Sequence, residues 1–201
     1  MIRVMIAEDQ GMMRDALALL LGLEDDLEIV AQVGRGDQIV AAALAARPDV
    51  ALLDIELPGR SGLDVIGELQ AALPDCVVLI LTTFAHPGYL RRAMEAGAAG
   101  FLGKDGPVGE LATAIRKAVA GERIIDPALA AAALNAGPSP LTGRERDVLA
   151  AALDGATIAD LAARLHLSTS TVRNHLSSAI GKTHTRNRIE AAQLARHNGW
   201  L

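Results

Sequence analysis

The first 120 residues alternate short apolar runs with helical patterns, and that alternation restricts the fold more than any other feature of the chain. Strand-like runs fall at Ile2–Ala7, Leu27–Val33, Val50–Leu53, Val77–Thr82 and Ala99–Leu102. Helical stretches lie between and after them, near residues 11–23, 36–46, 62–72, 87–97 and 107–120. Val50–Leu53 is unbroken and apolar, too short for a helix, so it reads as a strand buried on both faces. Five β-α units predict an α/β fold, a doubly wound five-stranded parallel sheet with helices on both faces, over residues 1–120. Gly34-Arg-Gly36, Pro58-Gly59 and Gly106-Pro107 punctuate it as turns.

Two of these strands end in acids. Val50–Leu53 runs into Asp54, and Ile2–Ala7 runs into Glu8-Asp9. Open α/β sheets bind ligands at the carboxyl ends of their strands. If the two strands are neighbours, three carboxylates converge on one pocket, where they must protonate or bind a cation. An all-oxygen acidic cluster suits Mg²⁺. The chemistry this favours is metal-dependent acceptance of a phosphoryl group, and three solvated strand-end acids are the plainer alternative.

Charge divides the chain. Residues 1–117 carry 17 acids and 10 Lys/Arg, a net of −7, whereas residues 118–201 carry 7 acids and 9 Lys/Arg, a net of +2. An acidic half followed by a mildly basic one suggests a regulatory module joined to a nucleic-acid binder. The single cysteine, Cys76, allows neither an internal disulfide nor a thiolate metal site. No apolar run approaches the ~20 residues of a membrane span, and no leader pattern precedes Met1-Ile-Arg-Val, so a soluble, cytoplasmic protein without membrane insertion is expected.

Residues 121–140 read as a linker. Asp126-Pro127 opens an alanine-rich helical stretch to about Leu134, and Asn135-Ala-Gly-Pro-Ser-Pro140 holds neither helix nor strand. Residues 141–201 are helical throughout. Thr142-x-x-Glu145 and Thr157-x-x-Asp160 fit the capping box, Ser168 is a natural N-cap, and Asn187 with Glu190 forms another capping pair. After a tight turn at Leu167, Val172, Leu176, Ala179 and Ile180 form a buried stripe, leaving Arg173, Asn174 and Ser177 together on another side. Two short helices joined tightly, the second displaying Arg and Asn outward, is the helix-turn-helix plan.

These residues carry a resemblance to known families. Glu8-Asp9, Asp54, Thr82 and Lys104 fall in the order and at the strand ends of the receiver domain of two-component response regulators, a flavodoxin-like fold. Leu141-Thr-Gly-Arg-Glu-Arg-Asp-Val-Leu149 and Thr171-Val-Arg-Asn-His175 resemble the LuxR-type DNA-binding domain. The pairing is similar to NarL/FixJ-type regulators. Ala7-Glu-Asp-Gln10, Leu23-Glu-Asp-Asp26 and Asn187-Arg-Ile-Glu-Ala191 are locally similar to a subgroup that governs a membrane-lipid desaturase.

The resemblance implies a division of labour. Asp54 accepts a phosphoryl group from a partner histidine kinase. Asp9 and Asp54 bind Mg²⁺ by their side chains, Glu56 by its backbone carbonyl and Glu8 through water. Lys104 supplies a fixed cation, Thr82 a hydroxyl, and Phe101 an aromatic switch, although a plain core aromatic fits position 101 as well. In the second half the resemblance aims Arg173, Asn174 and Ser177 at the bases of double-stranded promoter DNA. Lys182 and Arg188 are expected on its phosphates. His175 is expected to be packed and hydrogen-bonded, and Thr183 and Thr185, where the family is usually apolar, imply a loosely held last helix.

Two helices also show surplus apolar surface. Met13, Leu17 and Leu20 form one stripe suited to the sheet, while Met12, Leu19 and Leu23 form a second. Val108, Ala112 and Val119 flank the sheet-facing stripe of the helix near 107–120. A receiver homodimer formed through these positions on phosphorylation is expected, with coverage by the chain's own second half as the alternative. Two readings from other classes compete. A phosphohydrolase needs a second carboxylate just after Asp54 as acid/base, and Ile55-Glu56 fits that poorly, so a turnover enzyme is not expected. A constitutive DNA-binding factor has no use for the acidic site.

Overall fold

A computed structural model of the chain describes residues 1–83, 87–104, 106–125, 130–131, 139–198 and 200–201. The chain divides into two compact units, the first mostly within residues 1–131 and the second mostly within residues 132–201. Most of the expected linker helix, at 126–129 and 132–138, lies outside the described residues.

The first unit is a parallel sheet of β1 (Ile2–Ala7), β2 (Leu27–Val33), β3 (Val50–Leu53), β4 (Val77–Thr82), β5 (Gly100–Gly103) and β6 (Ile124–Ile125), in the order β2-β1-β3-β4-β5-β6. Among the described residues it has six strands, not the five expected. Ile124 and Ile125 extend the sheet beside Gly100 and Phe101 from within the stretch expected to be linker. A two-residue strand is too short to leave a periodic trace. The helices are α1 (Gly11–Leu21), α2 (Ile39–Ala46), α3 (Gly62–Ala72), α4 (Pro87–Glu95) and α5 (Val108–Val119), with a 3₁₀ turn at Gly36–Gln38 before α2.

Register places the site. Ala7 pairs with Leu53, so the next residues, Glu8 and Asp54, leave the sheet side by side. The Asp54 N–H closes the ladder on the Ala7 carbonyl at 2.9 Å. Thr82 pairs with Gly103, and the Lys104 N–H donates to the Thr82 carbonyl at 2.9 Å. The strand order reverses between β1 and β3, and the site sits at that switch point.

α1 and α5 pack together over one face of the sheet. Two expectations about them are corrected. The inward stripe of α1 is Met13, Leu17 and Leu21: Leu21 is fully buried, whereas Leu20 is 40% exposed. The buried stripe therefore drifts around α1 by about 80° from Met13 to Leu21, a drift that local periodicity does not announce. On α5, Ala112 is buried within the core that holds Leu17 and Leu21, so it is no part of an outward face. Its small side chain lets the two helices approach.

The second unit contains α6 (Gly143–Ala151), α7 (Ile158–Leu165), α8 (Thr169–Thr183) and α9 (Arg188–His197). Thr142 and Thr157 form complete capping boxes with Glu145 and Asp160, and Ser168 and Asn187 cap the other two helices by side-chain oxygens. Val148, Leu149, Leu161, Val172, Leu176, Ala191 and Ala195 form the core, with Trp200 packed against it. Thr183 does not loosen this packing. It is buried, and its hydroxyl donates to the Ala179 carbonyl at 2.8 Å, satisfying the polar atom within its own helix.

The β3–α3 loop returns tightly to the site. The Gly62 N–H and the Ser61 hydroxyl both donate to the Ile55 carbonyl at 3.0 Å, and a Cβ at Gly62 would overlap the Asp54 carbonyl. Gly62→Ala should therefore lower receiver stability by about 1–3 kcal/mol, because backbone is displaced. Gly67→Ala, in the same helix with open space around its Cβ, should raise it by about 0.5–1 kcal/mol. Urea unfolding of the two variants followed by circular dichroism checks the contrast.

Candidate functional site

Glu8, Asp9 and Asp54 offer carboxylate oxygens that all lie within 4.8 Å of one another, at the carboxyl ends of β1 and β3. Glu8 and Asp54 are buried, and Asp9 is exposed at the mouth. Two like charges out of water require a counter-charge. Lys104 supplies it: its buried ammonium lies 2.5 Å from Glu8 Oε2 and 2.8 Å from Asp54 Oδ2. Asp54 Oδ1 accepts the Ile55 N–H at 2.7 Å, and Glu8 Oε1 accepts the Gln10 N–H at 3.2 Å. Each buried carboxylate is thus fixed by both oxygens.

Burial opposes the charged form of Lys104, but hydrogen bonds and charge from Asp54 and Glu8 outweigh it and hold its pKa above the ordinary lysine value. A raised folded-state pKa means the interaction is fully present at neutral pH. It is lost only as pH rises through that value. Thr82 is fully buried at the end of β4, where its carbonyl accepts the Lys104 N–H, whereas Thr83 is exposed. Phe101 is fully buried in β5, opposite Ile80 and Ile125. Glu56 lies just beyond Asp54 with its side chain exposed. Buried Cys76 has its thiol pushed up to about 11 by desolvation, which leaves it unreactive.

The three-carboxylate, all-oxygen donor set fits a hard cation such as Mg²⁺. Arg14 donates to the Glu8 carbonyl at 2.7 Å, a contact that no sequence pattern flagged.

On α8, Arg173, Asn174 and Ser177 are exposed, and none has a side-chain partner among the described residues. His175 is half-buried, without the expected hydrogen bond among the described residues. Arg188 is half-buried at the start of α9. Lys182 is exposed and has a partner within the chain. Its ammonium lies 2.9 and 2.8 Å from the two oxygens of buried Glu145, which also accepts from Ser178 at 2.6 Å. Glu145, read only as a capping residue, ties α6 to α8.

On the receiver, Met12, Leu19 and Leu23 are 89%, 69% and 72% exposed, and Val119 is 42% exposed. Val108 is half-buried. Arg116 fastens α5 to the turn after α1 through Glu24 and Asp26, each at 2.6 Å. A cavity of about 340 Å³ lies between α1 and α5, walled by Met13, Leu17, Leu20, Val108, Leu111 and Ile125.

Residues 4–116 match the family of response regulator receiver domains, and residues 139–195 match the luxR family of bacterial regulatory proteins. The chain is 46% identical to the uncharacterized transcriptional regulatory protein YvfU and 44% identical to the transcriptional regulatory protein DesR, both of Bacillus subtilis strain 168. Each comparison runs over 201 residues and covers all of both proteins. The crystal structure of the response regulator ChrA of a heme-sensing two-component system aligns with all of this chain and 98% of that one, with a TM-score of 0.57 and 32% identity.

Burial alone would raise the Glu145 pKa, but Lys182, Ser178 and Thr142 together lower it from 4.5 to about 2. A depressed folded-state pKa stabilises above the unfolded value and is lost as pH falls through the folded one. The second unit should therefore lose on the order of 2 kcal/mol between pH 4.5 and 2, a figure reduced for the partly exposed Lys182. Trp200, the only tryptophan, reports this unit by fluorescence in urea titrations, and Glu145→Gln should flatten the dependence.

Proposed function

The chain belongs to the response regulators that join a receiver domain to a LuxR-type DNA-binding domain, and we propose that it is switched by phosphorylation of Asp54. Its output is transcriptional regulation. The observation that carries the proposal is the Asp54 carboxylate itself, buried at a strand's carboxyl end and fixed by Lys104 and the Ile55 N–H among two further acids.

In this reading an Asp54 oxygen attacks the phosphorus of a phosphohistidine on a partner histidine kinase. A P–O bond forms as the P–N bond breaks, and the imidazole leaves with the electron pair of that bond. Such a transfer needs positioning and charge neutralisation more than covalent help. Lys104 shifts part of its hydrogen bonding to a phosphoryl oxygen, and buried Thr82 offers its hydroxyl to another. Asp9 and Asp54 by side chain, Glu56 by backbone carbonyl and Glu8 through water would hold Mg²⁺, which supplies neutralisation of the transferred charge. The acyl phosphate hydrolyses slowly, so the chain works as a switch in the cytoplasm and not as a turnover enzyme. Phe101, already inside the sheet, follows the threonine's movement.

The apolar surface at Met12, Leu19, Leu23 and Val119 supports a two-fold receiver dimer formed on phosphorylation, with half-buried Val108 at its margin. Two copies of α8 then meet half-sites about one helical turn of DNA apart, Arg173, Asn174 and Ser177 toward the bases and Arg188 toward phosphate.

Asp54→Asn should keep the fold and abolish labelling by acetyl phosphate with Mg²⁺. Undiminished aspartyl phosphate in that variant, located by mass spectrometry, would overturn the acceptor assignment. Leu19→Asp should accept phosphate normally yet stay monomeric by light scattering. Normal dimerisation of the phosphorylated variant would exclude this face.

A further inference from the structure

α8 contains a glycine that no contact among the described residues explains. Gly181 is exposed and its backbone is not left-handed. A Cβ built there would meet, beyond its own helix backbone and chain neighbours, no atom of the described residues within 4 Å. A glycine within a helix is less favourable than alanine, so an open helical position gains stability from a methyl group. Gly67 and Gly109 are equally open in their helices, which means openness alone marks nothing.

What separates Gly181 is the face it occupies. At about 100° per residue, Arg173, Asn174, Ser177 and Gly181 share one arc of about 100°. The first three are exposed and have no side-chain partner among the described residues. Side-chain length falls along the stripe from Arg173 through Ser177 to Gly181. The next residue, Lys182, is turned away onto Glu145. The helix presents bare backbone at 181. The rise from 173 to 181 is about 12 Å, close to the width of the major groove. A helix whose Arg173 reaches a base edge therefore brings position 181 to the sugar–phosphate wall.

We propose that Gly181 is a clearance residue, whose missing side chain lets the carboxyl half of α8 lie against the DNA backbone. The proposal rests on the reading that Arg173, Asn174 and Ser177 face DNA. Gly181 would set the docking depth of the helix, and through it how far Arg173 and Asn174 enter the groove, without touching a base itself.

The test uses the full-length protein treated with acetyl phosphate and Mg²⁺, and the tightest-binding duplex that the wild-type protein selects from a random-sequence pool. Gly181→Ala should raise the thermal midpoint of the Trp200 fluorescence transition while weakening DNA binding about tenfold. Because no charge is removed, the salt slope should not change. Gly181→Lys should also bind more weakly, despite its added positive charge. Gly67→Ala, the same change on a receiver helix, should leave DNA binding as it was. Wild-type affinity in Gly181→Ala, or tighter binding by Gly181→Lys, would show that the position stays open in the complex and would overturn the proposal. Arg173→Ala separates the two layers: it should weaken binding and relax preference at one base pair. If Arg173→Ala binds normally, the face itself is misassigned and the clearance role falls with it. If it weakens binding while Gly181→Ala does not, only the clearance role fails.

Discussion

One buried ammonium holds the receiver site together. Lys104 sits between Glu8 and Asp54, two carboxylates that the pairing of β1 with β3 forces side by side. Without a cation there, the register that makes the sheet would also bury two adjacent negative charges, each requiring compensation worth several kcal/mol. Lys104 is delivered by the same device, because β5 pairs with β4 so that Gly103 lies opposite Thr82. Sheet register and site electrostatics are therefore one constraint. An arrangement of this kind stores a choice: the ammonium can serve the two carboxylates, or share itself with an incoming anion once another cation takes up part of the acids' charge.

The second unit uses a half-buried ion pair differently, with Glu145 buried and Lys182 partly exposed. Glu145 closes a capping box at the start of α6 and receives Ser178 and Lys182 from α8. Breaking such a pair from one side leaves an uncompensated charge, so it fixes α8 more firmly than its small area suggests. Arg173, Asn174 and Ser177, on an adjoining side of the helix, keep exposed donors and acceptors to offer.

Much of this was legible in the sequence because the governing signals are local. Four of the five expected strands match their predicted bounds, and the capping residues Thr142, Thr157, Ser168 and Asn187 stand where short-range rules put them. The convergence of Glu8, Asp9 and Asp54 followed from strand ends, given adjacency that only the sheet order supplies. What escaped depends on distant partners. β6 is a strand only because β5 offers it an edge, and Ala112 is buried because α1 lies across it. Lys182 has an ordinary surface appearance in sequence. Its partner Glu145 lies 37 residues away, beyond any periodicity or cap.

The most direct measurement of this account is hydrogen exchange at the β1 and β3 amides of Lys104→Met, with and without Mg²⁺. If Lys104 is the cation that balances the two acids, exchange protection in the variant should fall by about 3–5 kcal/mol without Mg²⁺ and recover in large part with it, while the wild type gains much less. Equal protection of variant and wild type without Mg²⁺ would contradict the central role given to this one ammonium.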